Sequence, residues 1–327
     1  MQNNNLEIYK QIHDKIDKAN SIAILSHKDP DGDAIGSSSA LFQIIKNNFQ
    51  GKKVDIINKN VVSKKFAQIP HWNYIIDKLD RKKYDLFIIL DTGAQKLLGF
   101  FEDNDTFLKD NNTIVIDHHV SNDEYCNLNF IDPTKGSVGL IIYDMVKNMG
   151  YKINEPTARA LLFGIYSDTG ALAFSSVKGE TFIDVAEIVR HTDELNDMCN
   201  NMFFDNNIDY LKILGIVFER FKIVNNIGIS YIRKEDLNSI GATLDEDSGI
   251  SGHLNSISSL DYVMFFYEKD GGIIKCSIRT PRNDFDLTEI AKKYGGGGHK
   301  KAAGFSVQGE LKVQDGFLCF GDFKLEY

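Results

Sequence analysis

The stretch Thr113-Ile-Val-Ile-Asp-His-His119 places a carboxylate and two imidazoles directly after an apolar run. Three other clusters of Asp or His side chains also follow apolar stretches. In an open parallel α/β sheet, ligands gather at the carboxyl ends of the strands. We therefore expect one sheet to bring together side chains that lie far apart in the sequence. The six candidate metal ligands are His27, Asp31, Asp33, Asp91, His118 and Asp168.

Two imidazoles and four carboxylates form a hard, mixed set of nitrogen and oxygen donors. Such a set suits Mn²⁺ or a similar divalent ion better than a thiolate-type zinc site. Six ligands are too many for one ion with open positions, but they fit two ions bridged by a carboxylate. Asp91 is the natural bridge, because it stands midway between two ligand clusters. The pattern predicts two divalent ions, with Mn²⁺ as first choice and Mg²⁺ or Co²⁺ as alternatives.

The spacing of the first cluster has a mechanical reason. His27 and Asp31 lie four residues apart and Asp33 two further on, so a tight loop can turn all three to one side. Gly32 is expected to supply the backbone freedom for that turn. The alternative is that the aspartates only cap a following helix. Asp168 ends a helix of core-like composition, where a lone carboxylate would be costly unless it is paired or bound to metal.

The chain resembles a known family, the DHH phosphoesterases, in four motifs that occur in the family's order. These are His27-Lys-Asp-Pro-Asp-Gly-Asp33, Asp91-Thr-Gly93, Asp117-His-His119 and Ser167-Asp-Thr-Gly170. Gly295-Gly-Gly-Gly-His-Lys-Lys-Ala-Ala-Gly304 resembles the glycine-rich motif of the DHH-associated C-terminal domain. Size and domain content resemble the stand-alone nanoRNases, which degrade very short oligonucleotides and often hydrolyse 3′-phosphoadenosine 5′-phosphate.

The resemblance implies a two-domain α/β fold with the active site in the cleft between the domains. The expected parts are a parallel-sheet DHH domain over residues 1–190, a polar linker over 191–207 and a smaller α/β DHH-associated, substrate-binding domain over 208–327. It also implies that His118 binds metal, that Asp117 fixes an imidazole tautomer and that His119 lies beside the substrate phosphate.

The glycine-rich motif offers closely spaced backbone N–H groups that can cradle a phosphate. A flexible surface loop is the alternative reading. Arg279 resembles the family arginine that grips a substrate phosphate, and Arg282 is a weaker neighbouring candidate. The residues expected to bind substrate are Arg279, Gly296, Gly297, Gly298 and His299.

Apolar periodicity predicts alternating strands and helices, which imply a parallel sheet with right-handed crossovers. The strands expected in the first domain are 21–25, 53–58, 84–90 and 113–116. The helices expected there are 6–19, 34–49, 136–149, 157–167 and 181–190. In the second domain we expect strands at 227–232, 261–267 and 273–279, and a helix at 287–294.

Composition limits the partners and the compartment. The formal net charge of the 327 residues is −9, so the chain lacks the broad basic stripe that holds long nucleic acid. Short oligonucleotides or nucleotide phosphates are the expected partners, without long duplexes or membranes, and a homodimer stays open. Four scattered cysteines and an N-terminus without a signal-peptide profile predict free thiols and a cytoplasmic location.

Three alternative functions stay open beside the short-oligonucleotide hydrolase. A cyclic or linear dinucleotide phosphodiesterase would share every motif. A RecJ-like single-strand exonuclease would share them too, but is usually longer. A nucleotide sensor without activity would be expected to lack a metal ligand, and all six candidates are present.

Overall fold

A computed structural model of the chain describes residues 2–60, 62, 64–203, 208–244 and 249–327. The chain forms two compact units, Met1–Met202 and Phe203–Tyr327. Among the described residues, no helix combines the length and the apolar character needed to cross a bilayer.

The N-terminal unit is a five-stranded sheet with helices. Its strands are β1 (Ser21–Leu25), β2 (Lys53–Ile57), β3 (Leu86–Leu90), β4 (Thr113–Asp117) and β5 (Leu128–Ile131). Its helices are α1 (Gln2–Lys18), α2 (Gly32–Asn48), α3 (Phe107–Asp110), α4 (Val138–Met149), α5 (Glu155–Asp168), α6 (Gly179–Val189) and α7 (Leu195–Phe203). Single 3-10 turns occur at Lys64–Phe66, Trp72–Tyr74, Arg81–Lys83 and Gln95–Leu98.

The strands are parallel, as predicted, and their order is β2-β1-β3-β4-β5. β3 is buried along its whole length, because both faces of the sheet are covered. Its side chains alternate between two cores. Leu86, Ile88 and Leu90 pack in the larger one, whereas Phe87 and Ile89 pack in the smaller one.

Helices α2 and α5 pack closely because glycines lie at their contact. A Cβ atom on Gly36 would lie 2.6 Å from the carbonyl oxygen of Ala160. A Cβ atom on Gly164 would lie 2.7 Å from a carboxylate oxygen of Asp33. Asp33 lies in the first turn of α2, and Asp168 is the last residue of α5. The close approach of the two helices therefore sets the distance between these carboxylates.

The C-terminal unit is a mixed sheet with a small antiparallel extension. Its helices are α8 (Ile208–Glu219), α9 (Lys234–Ile240), α10 (Ile250–Leu254) and α11 (Leu287–Lys292). Its strands are β6 (Lys222–Val224), β7 (Ile227–Ile232), β8 (Tyr262–Lys269), β9 (Ile273–Arg279), β10 (Gly297–His299), β11 (Ala302–Gln308), β12 (Leu311–Gln314), β13 (Phe317–Phe320) and β14 (Phe323–Glu326).

The larger sheet has the order β10-β11-β9-β8-β7-β6, and β12-β13-β14 form the extension. Within the larger sheet, β7 and β8 pair in parallel and the other neighbours are antiparallel. Apolar clusters line this sheet, one around Phe266 and Phe305 and the other around Val263 and Phe265.

The segment expected to be a linker, residues 191–207, contains helix α7. Its side chains Leu195, Met198 and Met202 pack against the larger core of the N-terminal unit. The division between the two compact units, at Met202 and Phe203, lies inside this segment. Strand β5, helix α8 and the extension β12–β14 were not predicted.

Candidate metal centre

The sheet topology places the first, second and third motifs at one edge. β1 and β3 are in parallel register, with Leu25 opposite Ile89, and β3 and β4 place Leu90 opposite Ile116. His27 follows the end of β1 by two residues, while Asp91 follows β3 directly and His118 follows β4 directly. The three side chains therefore leave neighbouring strands at the same level.

The structure brings all six predicted ligands into overlapping groups whose ligand atoms lie within 4.8 Å of one another. One group holds His27, Asp31 and Asp91, and a second holds Asp33, Asp91, His118 and Asp168. A third joins Asp91 to Asp117, His118 and His119. Asp91 belongs to all three groups, which is the position expected of a bridging carboxylate.

Asp91 is buried, and its backbone is turned sharply at the end of β3. The residue is 2% exposed and has a φ of 53°, in the left-handed region that few non-glycine residues adopt. Its Oδ1 atom and the Nε2 atom of His118, 3.5 Å apart, are buried and form no hydrogen bond with any described atom. Buried polar atoms are normally paired, so a bound cation fits these two unfilled positions.

Asp33 is fully buried, and the start of helix α4 compensates part of its charge. Its carboxylate accepts backbone N–H groups of Val138 at 2.5 Å and Gly139 at 3.1 Å. Burial, together with the negative charges of Asp168 and Asp91, nevertheless raises the pKa of Asp33 well above its ordinary value. A divalent cation would relieve this repulsion and favour the ionised carboxylate.

His118 lies between two carboxylates. Its Nε2 atom is 3.2 Å from an oxygen of Asp168 and 3.5 Å from one of Asp91. Burial acts to lower the pKa of His118, but interactions with Asp168 and Asp91 outweigh it and raise the pKa to about 11. A histidine binds metal in its neutral form, so binding an ion here would release a proton.

Asp31 both caps a helix and faces the candidate site. It is the N-cap of α2, and its Oδ1 atom accepts the backbone N–H groups of Asp33 and Ala34, each at 3.0 Å. The capping alternative is therefore correct for Oδ1, and Oδ2 remains as a ligand atom. Oδ1 also lies 3.9 Å from Nε2 of His27.

The reason predicted for Gly32 is wrong. Gly32 is the first residue of α2, and its φ is not among the positive values of the described glycines. A Cβ atom at this position would lie 2.3 Å from Oγ of Ser167, on the helix that ends at Asp168. Glycine is needed here for the close approach of two metal-binding motifs, and the turn itself does not require it.

Asp117 is hydrogen-bonded to the imidazole of His119 in the same motif. Its Oδ1 atom lies 2.8 Å from Nδ1 of His119, and the backbone N–H groups of His118 and His119 also donate to it. Burial would raise the pKa of Asp117, but the bonds from His119 and Asn122 hold it below its ordinary value. The bond to Asp117 raises the pKa of His119 in turn.

Two asparagines that sequence reasoning missed hold the motifs in place. Asn122 donates through Nδ2 to Oδ2 of Asp117 at 2.7 Å and to the carbonyl of Thr92 at 3.0 Å, joining the second and third motifs. Asn58 donates to the carbonyl of His27 at 2.7 Å and is buried. The sequence offered one signal for each residue. Asn122 lies just beyond the third motif, and Asn58 lies just after β2.

In the C-terminal unit, Arg279 and Arg282 differ in their partners. Arg279 is partly buried at the end of β9, and Nη1 donates to the carbonyl of Ile278 at 2.9 Å. Within the described ranges, no acidic side chain pairs with it. Burial lowers the pKa of Arg279. Arg282, by contrast, forms salt bridges with Asp261 at 2.8 Å and Asp284 at 2.6 Å.

The glycine-rich motif forms a β-hairpin, and the predicted cradle of free N–H groups is wrong for its first two glycines. Gly295 and Gly296 donate to the carbonyls of Lys292 and Ala291. Gly297 and Gly298 belong to β10, paired with Gly304 and Ala303 of β11. A Cβ atom on Gly296 would lie 2.2 Å from the carbonyl oxygen of Gly304, so this glycine permits close packing. The side chain of His299 lies outside the described part of the structure.

Comparison with known proteins identifies both domains. Residues 21–165 match the DHH family, N-terminal domain, and residues 226–317 match the DHHA1 domain. The bifunctional oligoribonuclease and PAP phosphatase NrnA of Bacillus subtilis is 28% identical, covering 88% of this chain and 89% of that protein. The protein of the same name from Mycoplasma genitalium is 25% identical, covering 92% of each.

A solved structure supports the fold over the whole chain. The crystal structure of an exopolyphosphatase-related protein from Bacteroides fragilis has a TM-score of 0.82 and 24% identity, and the match covers 94% of this chain and 92% of the other. The two matched domains occur in the order that the motifs predicted, and together they account for more than half of the residues. The chain therefore belongs to the DHH family of phosphoesterases, with an N-terminal DHH domain followed by a DHHA1 domain.

Proposed function

We propose that the protein hydrolyses phosphoester bonds in short oligonucleotides, with 3′-phosphoadenosine 5′-phosphate as a second substrate. The main support for this proposal is Asp91. This buried residue belongs to both groups of predicted ligands, and one of its oxygens has no hydrogen-bond partner among the described atoms. The relatives named bifunctional oligoribonuclease and PAP phosphatase support the choice of substrates.

Two divalent ions, Mn²⁺ by preference, would occupy the two groups that share Asp91. His27 and Asp31 would complete one site, and the other would be completed by Asp33, His118 and Asp168. When bound, such ions lower the pKa of water and stabilise the charge on phosphoryl oxygens. The mixed nitrogen and oxygen donors of the groups, without a cysteine, suit Mn²⁺ better than a structural zinc ion.

His119 is the residue of the third motif best placed to contact the substrate. Its side chain is 49% exposed, whereas the side chain of Asp117 is buried. The bond from Nδ1 to Asp117 fixes the ring and leaves Nε2 for an oxygen of the phosphate. Asn122 holds the far oxygen of Asp117, so the orientation of His119 depends on a chain of two hydrogen bonds.

The DHHA1 domain would bind the remainder of the substrate. Arg279 offers a guanidinium without an acidic partner among the described residues, which suits a phosphate. Gly296, Gly297, Gly298 and His299 would form the neighbouring surface, where Gly297, with open space at its Cβ position, would allow the substrate to approach the hairpin backbone closely. The net charge of −9 gives few contacts for a long polymer, so the grip is expected to be local.

Turnover on a matched panel tests the proposal. The panel holds labelled oligonucleotides from two to ten residues, a thirty-residue strand, cyclic dinucleotides and 3′-phosphoadenosine 5′-phosphate, each with Mn²⁺. We expect the highest kcat/KM at about two to five nucleotides and a steep fall with length. Equal efficiency on the thirty-residue strand and the dinucleotide would contradict the proposal and favour an exonuclease, and preference for the cyclic compounds would favour a cyclic dinucleotide phosphodiesterase.

A further inference from the structure

The chain directly after the candidate ligand Asp168 adopts an unusual conformation. Three consecutive residues, Gly170, Ala171 and Leu172, have positive φ angles of 55°, 55° and 67°. Glycine adopts this region readily, but alanine and leucine rarely do. Such a run persists only where the surrounding structure determines it, and it often occurs at functional sites.

The loop of residues 169–177 is held by hydrogen bonds to the carbonyl and hydroxyl groups of Thr169. Thr169 is fully buried, and its carbonyl accepts the N–H groups of Ala173 and Phe174, both at 3.0 Å. Its hydroxyl accepts the N–H of Leu172 at 3.1 Å and donates to the carbonyl of Ile165 at 2.5 Å. The loop is therefore tied to the last turn of the helix that carries Asp168.

The same loop presents an exposed aromatic ring six residues after Asp168. Phe174 is 57% exposed, although its neighbour Leu172 packs against the core. The ring lies against Gly170, where an added Cβ atom would be 2.4 Å from the Phe174 ring. Gly170 is two residues from Asp168, so the exposed phenyl ring packs against the turn that directly follows a candidate metal ligand.

Exposure alone does not distinguish Phe174 from other surface residues. Phe182, on helix α6, is 54% exposed, but it adjoins none of the four motifs that carry the candidate ligands. Single exposed apolar residues are common on protein surfaces. What distinguishes Phe174 is that its backbone N–H donates to buried Thr169, its ring packs against Gly170, and the positive-φ backbone between them begins two residues after Asp168.

We propose that Phe174 is a stacking platform for a nucleobase of the substrate. This inference rests on the proposed function, because a nucleotide phosphate at the metal centre carries a flat base on the adjoining sugar. Aromatic side chains bind bases through their faces without regard to sequence, which suits an enzyme that degrades mixed short fragments. The platform would bind substrate and take no part in the bond cleavage.

Steady-state kinetics on two substrates tests the inference. We expect Phe174→Ala to raise KM for a 5′-phosphorylated diadenylate about tenfold, with kcat changed less. For a diribose phosphodiester that lacks both bases, the same substitution is expected to leave KM unchanged. Phe174→Trp should keep the wild-type KM for the diadenylate, and Phe182→Ala, a change of equal size at equal exposure, should alter neither substrate.

A fluorescence titration gives a reading that does not depend on turnover. The indole of Phe174→Trp should be quenched by the diadenylate and not by the base-free compound, after subtraction of the wild-type signal from Trp72. A KM change below twofold for Phe174→Ala, or an equal rise on both substrates, would overturn the inference while leaving the proposed function intact. A wild-type protein that fails to hydrolyse the diadenylate would overturn both.

Discussion

The metal centre and the glycine-rich hairpin show two uses of a short motif. In the candidate metal centre, the buried atoms Oδ1 of Asp91 and Nε2 of His118 form no hydrogen bond with any described group. In the hairpin, by contrast, the N–H groups of Gly295 and Gly296 already donate to helix carbonyls, and Gly297 and Gly298 lie opposite residues of β11. Unsatisfied buried charge thus points to a ligand, whereas a run of glycines points first to close packing of the backbone.

Removal of Asp91 is expected to have the largest effect. Asp91→Ala should lower kcat/KM with Mn²⁺ by at least about a hundredfold, since one side chain contributes to both ligand groups. The variant should remain folded, because the buried carboxylate of Asp91 and those of Asp31 and Asp168 repel one another in the absence of metal. Kinetics and a metal-free thermal melt measure the two effects.

Asp110 provides the control for this substitution, as an exposed carboxylate on α3. Asp110→Ala should retain wild-type kinetics. If Asp91→Ala kept more than a few per cent of the wild-type turnover, the unsatisfied atoms around Asp91 would not mark a catalytic metal site. The contrast with the hairpin would then be wrong.

Arg279 and Arg282, in the C-terminal unit, test whether a charged group without a partner marks a ligand site. Arg279→Ala should raise KM for a dinucleotide by about tenfold to a hundredfold, because a charge-assisted hydrogen bond contributes about 1.5–3 kcal/mol. Some loss of kcat is also expected if the bond tightens during the reaction. Arg282→Ala should change KM little, since Asp261 and Asp284 already engage that guanidinium. Equal effects of the two substitutions would show that the salt bridges of Arg282 do not determine which arginine binds substrate.

Asn122 sharpens the account of the third motif. Asn122→Ala removes one of the bonds that hold Asp117, and through it His119, so we expect kcat to fall about tenfold. Mn²⁺ affinity, measured by calorimetry, should change less, because Asn122 touches none of the six predicted ligands directly. Asn148→Ala, an exposed asparagine that bonds only within its own helix among the described residues, is the control. An unchanged kcat in Asn122→Ala would show that catalysis does not depend on the orientation of His119 by Asp117 and Asn122.

The Arg220–Asp236 pair gives the smallest expected effect on activity and a clear effect of pH on stability. Arg220 donates to both oxygens of Asp236, at 2.5 and 2.7 Å. Burial would raise the pKa of Asp236, but Arg220 lowers it to about 2. Because the folded pKa lies below the unfolded value, this stabilisation is complete above about pH 4 and is lost as pH falls toward 2.

Hydrogen exchange of the β7 and β8 amides in the full chain measures this effect. Wild-type protection should decrease between pH 4 and pH 2 by about 1 kcal/mol, because solvent screens the partly exposed pair. Asp236→Asn should lower protection at pH 7 and flatten this dependence. Parallel pH profiles for the two proteins would contradict the assignment.

Most of the N-terminal fold could be predicted because its strands are buried on both faces. The apolar runs that became β1, β3 and β4 are unbroken, so their ends, and the motifs attached to them, could be located from the sequence. β5 was missed because Leu128–Ile131 is short and only one of its residues is fully buried. The strands of the extension, such as Leu311–Gln314, are too exposed to give a clear pattern.

The ligand groups could be predicted, but the contacts that position them could not. Asn58 and Asn122 act through tertiary hydrogen bonds, and nothing in their spacing identifies their partners. The function of Gly32 depends on Ser167 of another helix, so local turn chemistry gave the wrong reason for it. Side chains on neighbouring strand ends follow from topology, whereas close contacts between helices require the folded structure.

Counting and locating Mn²⁺ in the same protein tests the central claim most directly. Calorimetric titration of the wild type should give two ions per chain, and a Mn²⁺-bound crystal structure should place Asp91 in contact with both. His27 and Asp31 should complete one site, and Asp33, His118 and Asp168 the other. A single ion in a well-ordered structure, or two ions with the carboxylate of Asp91 turned away from either, would contradict the account.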